Sequence, residues 1–183
     1  MNRVRAGTES TQFRGEETSM ARCMIAGAVV TYALAVFQNT LGGFMAIWGV
    51  TPDLLLVWTI CMGLLSGRHV GALVGFASGL MQGGLQQTAI GAYAISKTVS
   101  GFGAGVLAGK MFRENWLVPI VSAGVLTAVN EAAFLVLYRA ADWSQAGRVV
   151  GLRVAYHAVL TPVVFAIAGR ARRALLGRPE KVL

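Results

Sequence analysis

Residues 52–84 read PDLLLVWTICMGLLSGRHVGALVGFASGLMQGG, and the fold turns on this stretch. A Pro-Asp pair opens an apolar run, Arg68 and His69 interrupt it, and a second apolar run follows. Glycine recurs at every fourth position: Gly63, Gly67, Gly71, Gly75, Gly79 and Gly83. Positions four apart share one helix face, so from Gly71 to Gly83 that face is bare backbone. In water such a row is unfavourable, because Gly costs about 1 kcal/mol relative to Ala in a helix interior. In lipid it lets two helix backbones approach closely. The stretch predicts a membrane hairpin whose work depends on packing helices.

The rest of the chain agrees. Its 183 residues are 55% hydrophobic and only 13% charged, with a mean hydropathy of +0.61; a soluble domain carries about 25% charge. A spanning helix takes about 20 residues, which leaves room for six spans. The fold class is therefore an all-α integral membrane protein with six transmembrane helices. The net charge of +8 comes from residues mostly at the ends and in short loops, where they set topology. No basic patch is interleaved with aromatics, so nucleic acid is not an expected partner. Cys23 and Cys61 lie at no metal or disulfide spacing and read as small apolar helix residues.

Residues 1–22 are polar and mixed in charge, which predicts a disordered cytoplasmic tail and an uncleaved first span. The spans fall at about 23–41, 52–66, 70–85, 88–108, 116–137 and 149–168 within a transmembrane domain of residues 23–169. A basic tail, residues 170–183, follows. Arg68 and His69 are expected to form the turn after the second span. The N-terminal tail, the Arg68 turn, the Lys110–Arg113 loop and the C-terminal tail share one side, whereas the links at 42–51 and 86–87 carry no basic residue. The positive-inside rule then places both termini in the cytoplasm. The loop from Arg139 to Arg148 breaks the pattern, with two Arg and one Asp on the outer side.

Two charges stand inside predicted spans. Lys97 and Glu131 fall at similar depth on consecutive antiparallel helices, where an isolated charge costs on the order of 3 kcal/mol. They are expected to form an ion pair, assisted by Asn130. His157 reads as a satisfied structural histidine. There is no G-x-S-x-G, no HExxH, no phosphate-binding loop and no pair of carboxylates in one span. The expectation is a protein without catalytic residues, metal or cofactor.

The stretches QNTL at 38–41, GVTPDLLL at 49–56, GLLSG at 63–67, GALVGF at 71–76, GL at 79–80 and GAYA at 91–94, with glycines at 101, 105 and 109, resemble the bacterial rod shape-determining protein MreD family. The resemblance is strongest over residues 38–109. It implies a non-enzymatic component of the inner membrane that binds the single-span protein MreC. Through MreC it would contact the MreB filament and the peptidoglycan synthase pair of RodA and its penicillin-binding partner. It also implies a helical bundle similar to the substrate-binding S-components of energy-coupling-factor vitamin transporters. The row Gly71–Gly83 reads first as internal helix packing, with a docking groove for another protein's helix as the functional alternative, and for that alternative the expected partner contacts are Pro52, Asp53, Gly71, Gly75, Gly79 and Gln82. The rival reading is a solute-binding subunit of such a transporter, with a pocket built from Gln82, Gln86, Gln87, Lys97, Asn130 and Glu131.

Overall fold

The computed structural model describes residues 25–110, 117–138 and 143–176. The described residues are all helical, apart from turns and one isolated β-bridge. Helix α1 covers residues 25–41 and runs into a 3₁₀ turn, Gly42–Met45. Then come α2 (Leu54–Ser66), α3 (Arg68–Gln86), α4 (Ile90–Lys110), α5 (Leu117–Tyr138) and α6 (Trp143–Leu176). The expected tail at 1–22 and the loop residue Arg113 lie outside the described residues.

Helix α2 is apolar on every side, as its sequence LLLVWTICMGLLS requires of a buried helix. It touches α3, α4, α5 and α6, and Leu56, Val57, Ile60 and Cys61 have no exposed surface. Its 13 residues span only about 20 Å at 1.5 Å per residue. Its N-terminal end lies inside the bundle, with Pro52 and Asp53 buried, and its C-terminal end at Leu65–Gly67 is half-buried.

The glycine rows join α3 to α4. A Cβ on Gly71 or on Gly101 would run into the other's backbone carbonyl, and one on Gly75 would lie 2.7 Å from the Lys97 carbonyl carbon. At Gly79 it would lie 2.5 Å from Ala94 Cα, and at Gly83 2.5 Å from Ile90 Cα. Real Cβ atoms do not approach so closely. Gly63 on α2 enters the same seam, 2.6 Å from the Gly101 carbonyl oxygen by the same construction. The face from Gly71 to Gly79 is thus covered by α4, as internal packing predicts, and is closed to the partner helix of the alternative reading. Its bare backbone is used inside the fold.

The turns differ from expectation for local reasons. Arg68 and His69 are not the turn; they open α3, and Gly67 alone reverses the chain at φ 91. The α1–α2 link ends in a two-residue reverse turn. Ile47 and Val50 exchange both backbone hydrogen bonds, at 3.1 and 3.0 Å, and Trp48 and Gly49 between them have φ of 50 and 80. This is the geometry favoured by tight antiparallel turns. Helix α3 closes with Gln87 in the left-handed region and Thr88 N–H donating to the Gly83 carbonyl at 3.1 Å, a Schellman arrangement. Helix α6 starts at Trp143 rather than 149 and runs unbroken to Leu176. Much of the expected 139–148 loop is therefore helical, and the boundary drawn at 169/170 falls within a helix.

Three segments, Ile25–Met45, Leu117–Tyr138 and Gly147–Arg170, are long and apolar enough to cross a membrane. Large apolar side chains face outward along them, among them Val29 and Phe37 on α1, Val121 and Val125 on α5, and Val159 and Val163 on α6. This is a membrane protein whose apolar surface suits lipid.

Candidate functional site

The polar interior begins at Asp53. Its Oδ1 accepts from Leu56 N–H at 2.9 Å and so caps α2. Its Oδ2 is ion-paired with the ammonium of Lys97, whose side chain has no exposed surface. Its own backbone N–H donates to Nε2 of His157 at 2.9 Å. An Nε2 that accepts leaves the imidazole proton on Nδ1, where it is donated to Thr127 Oγ1 at 2.8 Å. Asp53 thereby ties α2 to α4 and α6, and through His157 to α5. His157 is the satisfied structural histidine expected from the sequence.

The expected Lys97–Glu131 pair does not form. Glu131 is bound by Arg153 of α6, whose Nη1 lies 2.8 Å from both carboxylate oxygens. Asn130 Nδ2 stands 3.5 Å from Glu131 Oε1. Counting residues along a helix does not give the direction in which a side chain leaves it. Lys97 points toward α2, and Glu131 points toward α6. Asp53 caps α2 from within the bundle, 5% exposed. Arg153 was overlooked as an intramembrane charge. Its signal was plain: an Arg within the apolar run of the sixth span.

Above these pairs, at the end where α1 and α3 finish and α2, α4 and α6 begin, a recess of about 210 Å³ opens outward. Gln38 and Asn39 of α1, Gln82 and Gln86 of α3, Tyr93 of α4 and Arg153 of α6 line it. Pro52, Asp53 and Gln82, three of the expected contact positions, meet at this recess; Gly71, Gly75 and Gly79 do not. Gln38 Oε1 is already engaged by Leu55 N–H at 3.1 Å. Two buried polar atoms on the lining have no hydrogen-bond partner among the described residues: Oε1 of Gln82 and Nε of Arg153. Of the residues named for a rival solute pocket, Gln82 and Gln86 line the recess. Lys97, Asn130 and Glu131 are not part of its lining, and Lys97 and Glu131 are held in ion pairs. Among the described residues no group of three or more His, Cys, Asp or Glu side chains could hold a metal.

No protein-family model, no curated protein and no solved structure matches this chain.

Proposed function

We propose that this chain is a non-enzymatic scaffold of the bacterial cell-elongation complex, similar in role to MreD, with six spans and both termini in the cytoplasm of an inner-membrane protein. It would bind a single-span MreC-like partner and, through it, the MreB filament and the RodA and penicillin-binding synthase pair. The observation that carries this reading is the use to which interior polar groups are put. Asp53 pairs with Lys97 and Glu131 with Arg153. Thr59 and Ser78 bond at 2.9 Å between α2 and α3, Trp58 Nε1 donates to Thr31 Oγ1 at 3.1 Å, and Ser100 donates to the Leu126 carbonyl at 3.3 Å. Each of these bonds joins one helix to another. An interior built this way holds a fixed outer shape for other helices to lie against.

The recess supports the scaffold over the transporter reading. Sites that enclose a drug-sized molecule hold about 300–1,000 Å³, above the 210 Å³ found here. The test is purification of the tagged protein from its native membrane in mild detergent, followed by mass spectrometry. Recovery of an MreC-like protein with wall-synthesis subunits is the expected result. Recovery of an ATPase with a coupling subunit, and no wall-synthesis protein, would overturn it.

A further inference from the structure

We propose that the outward face of α6 seats an anionic phospholipid, with the headgroup phosphate on Arg170 and Arg173 and the acyl chains along Val159, Val163 and Ile167. These five positions follow one another at steps of four, four, three and three residues, so they form one stripe on the helix. Val159, Val163 and Ile167 are 75%, 59% and 58% exposed, and Arg170 and Arg173 are exposed as well. Every side chain that the lipid would touch is therefore open to it. The apolar segment Gly147–Arg170 ends at the first of the two arginines. From Val159 to Arg170 the helix rises about 16 Å at 1.5 Å per residue, about the depth of one leaflet of a ~30 Å hydrocarbon core.

Charge and geometry choose the headgroup. Among the described residues the carboxylates are Asp53 and Glu131, and Lys97 and Arg153 hold both. Arg170 and Arg173 have no ion-pair partner among those residues, and they bring two positive charges within one helical turn. The Arg173 Nε donates to the Gly169 carbonyl at 3.2 Å, and its Nη2 lies 3.8 Å from the point where a Gly169 side chain would begin. The guanidinium thus folds back along α6 toward the apolar stripe. Its Nη groups are left to fork onto a phosphate, which the planar guanidinium matches in shape and charge. Together with Ala166, the two arginines border an open hollow of about 410 Å³. An acidic protein segment would match the charges but not the apolar stripe beside them, and a soluble phosphate would leave that stripe unused. This inference rests on α6 alone and stands whichever protein partner the scaffold has.

The experiment is native mass spectrometry of the full chain in a neutral detergent, titrated with dioleoyl phosphatidylglycerol or with dioleoyl phosphatidylcholine. The acyl chains are the same, so only the headgroup charge differs. Each arginine is expected to favour the anionic lipid about fivefold, and the two together about thirtyfold. Arg170→Gln and Arg173→Gln should each remove about a fivefold share of that preference, and the double variant should bind both lipids equally. Arg68→Gln, which removes an exposed charge where α3 begins, should leave the preference unchanged. Equal binding of the two lipids to the unaltered protein overturns the proposal, whether or not the variants fold. Equal losses from Arg68→Gln and Arg170→Gln also overturn it, because they would mean a diffuse attraction to the whole basic end. Inorganic phosphate in excess should leave the lipid bound. Displacement by it would assign the arginines to a soluble phosphate and overturn the lipid reading.

Discussion

Removing the Lys97 charge should strongly destabilise this protein, and the loss should be recovered at Asp53. The two side chains are 0% and 6% exposed, so water screens them little. Lys97→Met leaves the Asp53 carboxylate buried with the Leu56 N–H as its remaining hydrogen-bond donor. Breaking a buried pair in this way costs about 3–5 kcal/mol, or about two to four powers of ten in the unfolding equilibrium. Asp53→Asn keeps an oxygen to cap Leu56 but strands the ammonium, at a similar cost. With both changes no buried charge is left, and the double variant should lie within about 1–2 kcal/mol of the original protein. Lys97→Met combined with Glu131→Gln should show no such recovery, because Glu131 belongs to Arg153; the two losses should add to within about 1 kcal/mol. Reversible unfolding in mixed micelles measures all of these, with Trp58 as a buried reporter at 5% exposure on α2. Failure of the Asp53 double variant to recover, or recovery with Glu131→Gln instead, would refute the pairing and the argument built on it.

Other consequences follow from the same geometry. Gly75→Ala forces a Cβ to within 2.7 Å of the Lys97 carbonyl carbon and should cost about 1–3 kcal/mol. Gly91→Ala meets nothing within 4 Å and should be neutral or stabilise by up to about 1 kcal/mol; thermal melts giving both changes the same sign would contradict the seam. His157→Leu leaves the Asp53 N–H and the Thr127 hydroxyl without partners, at about 1–3 kcal/mol each. Hydrogen exchange at the Asp53 amide should accelerate accordingly, and unchanged exchange would remove His157 as its acceptor. Arg153→Met strands the Glu131 carboxylate, which at 7% exposed is as buried as Asp53, and should cost about 3–5 kcal/mol as Lys97→Met does; a loss below about 1 kcal/mol in parallel unfolding curves would mean that Glu131 does not depend on Arg153.

Periodicity alone made the all-helical membrane reading available, because lipid demands long apolar runs with internally satisfied backbones. The four-residue glycine spacing likewise announced a close helix contact. It did not say which helix would fill that contact. Gly101 and Gly105 repeat the same spacing on α4, and the short Gln86–Ile90 link makes α4 the neighbour that meets α3 along its whole length. The face was closed by the chain itself before any partner could reach it.

The ions show where sequence stops. Hydropathy put Lys97 and Glu131 inside apolar helices, which takes only a count of residues at a fixed rise. Partner choice depends on the rotation of each helix about its axis and on which neighbours it packs against, and those are settled by the packing of all the helices at once. Asp53, at the start of α2, meets Lys97 of α4, and Arg153 of α6 meets Glu131 of α5. The composition and spacing of the chain thus determined that its helices would lie in a membrane and meet through glycine. Only the tertiary structure decided that Asp53, Lys97, Glu131, Arg153 and His157 form two neighbouring clamps beneath a polar recess, because pairing in a low dielectric follows direction and distance, and a sequence states neither.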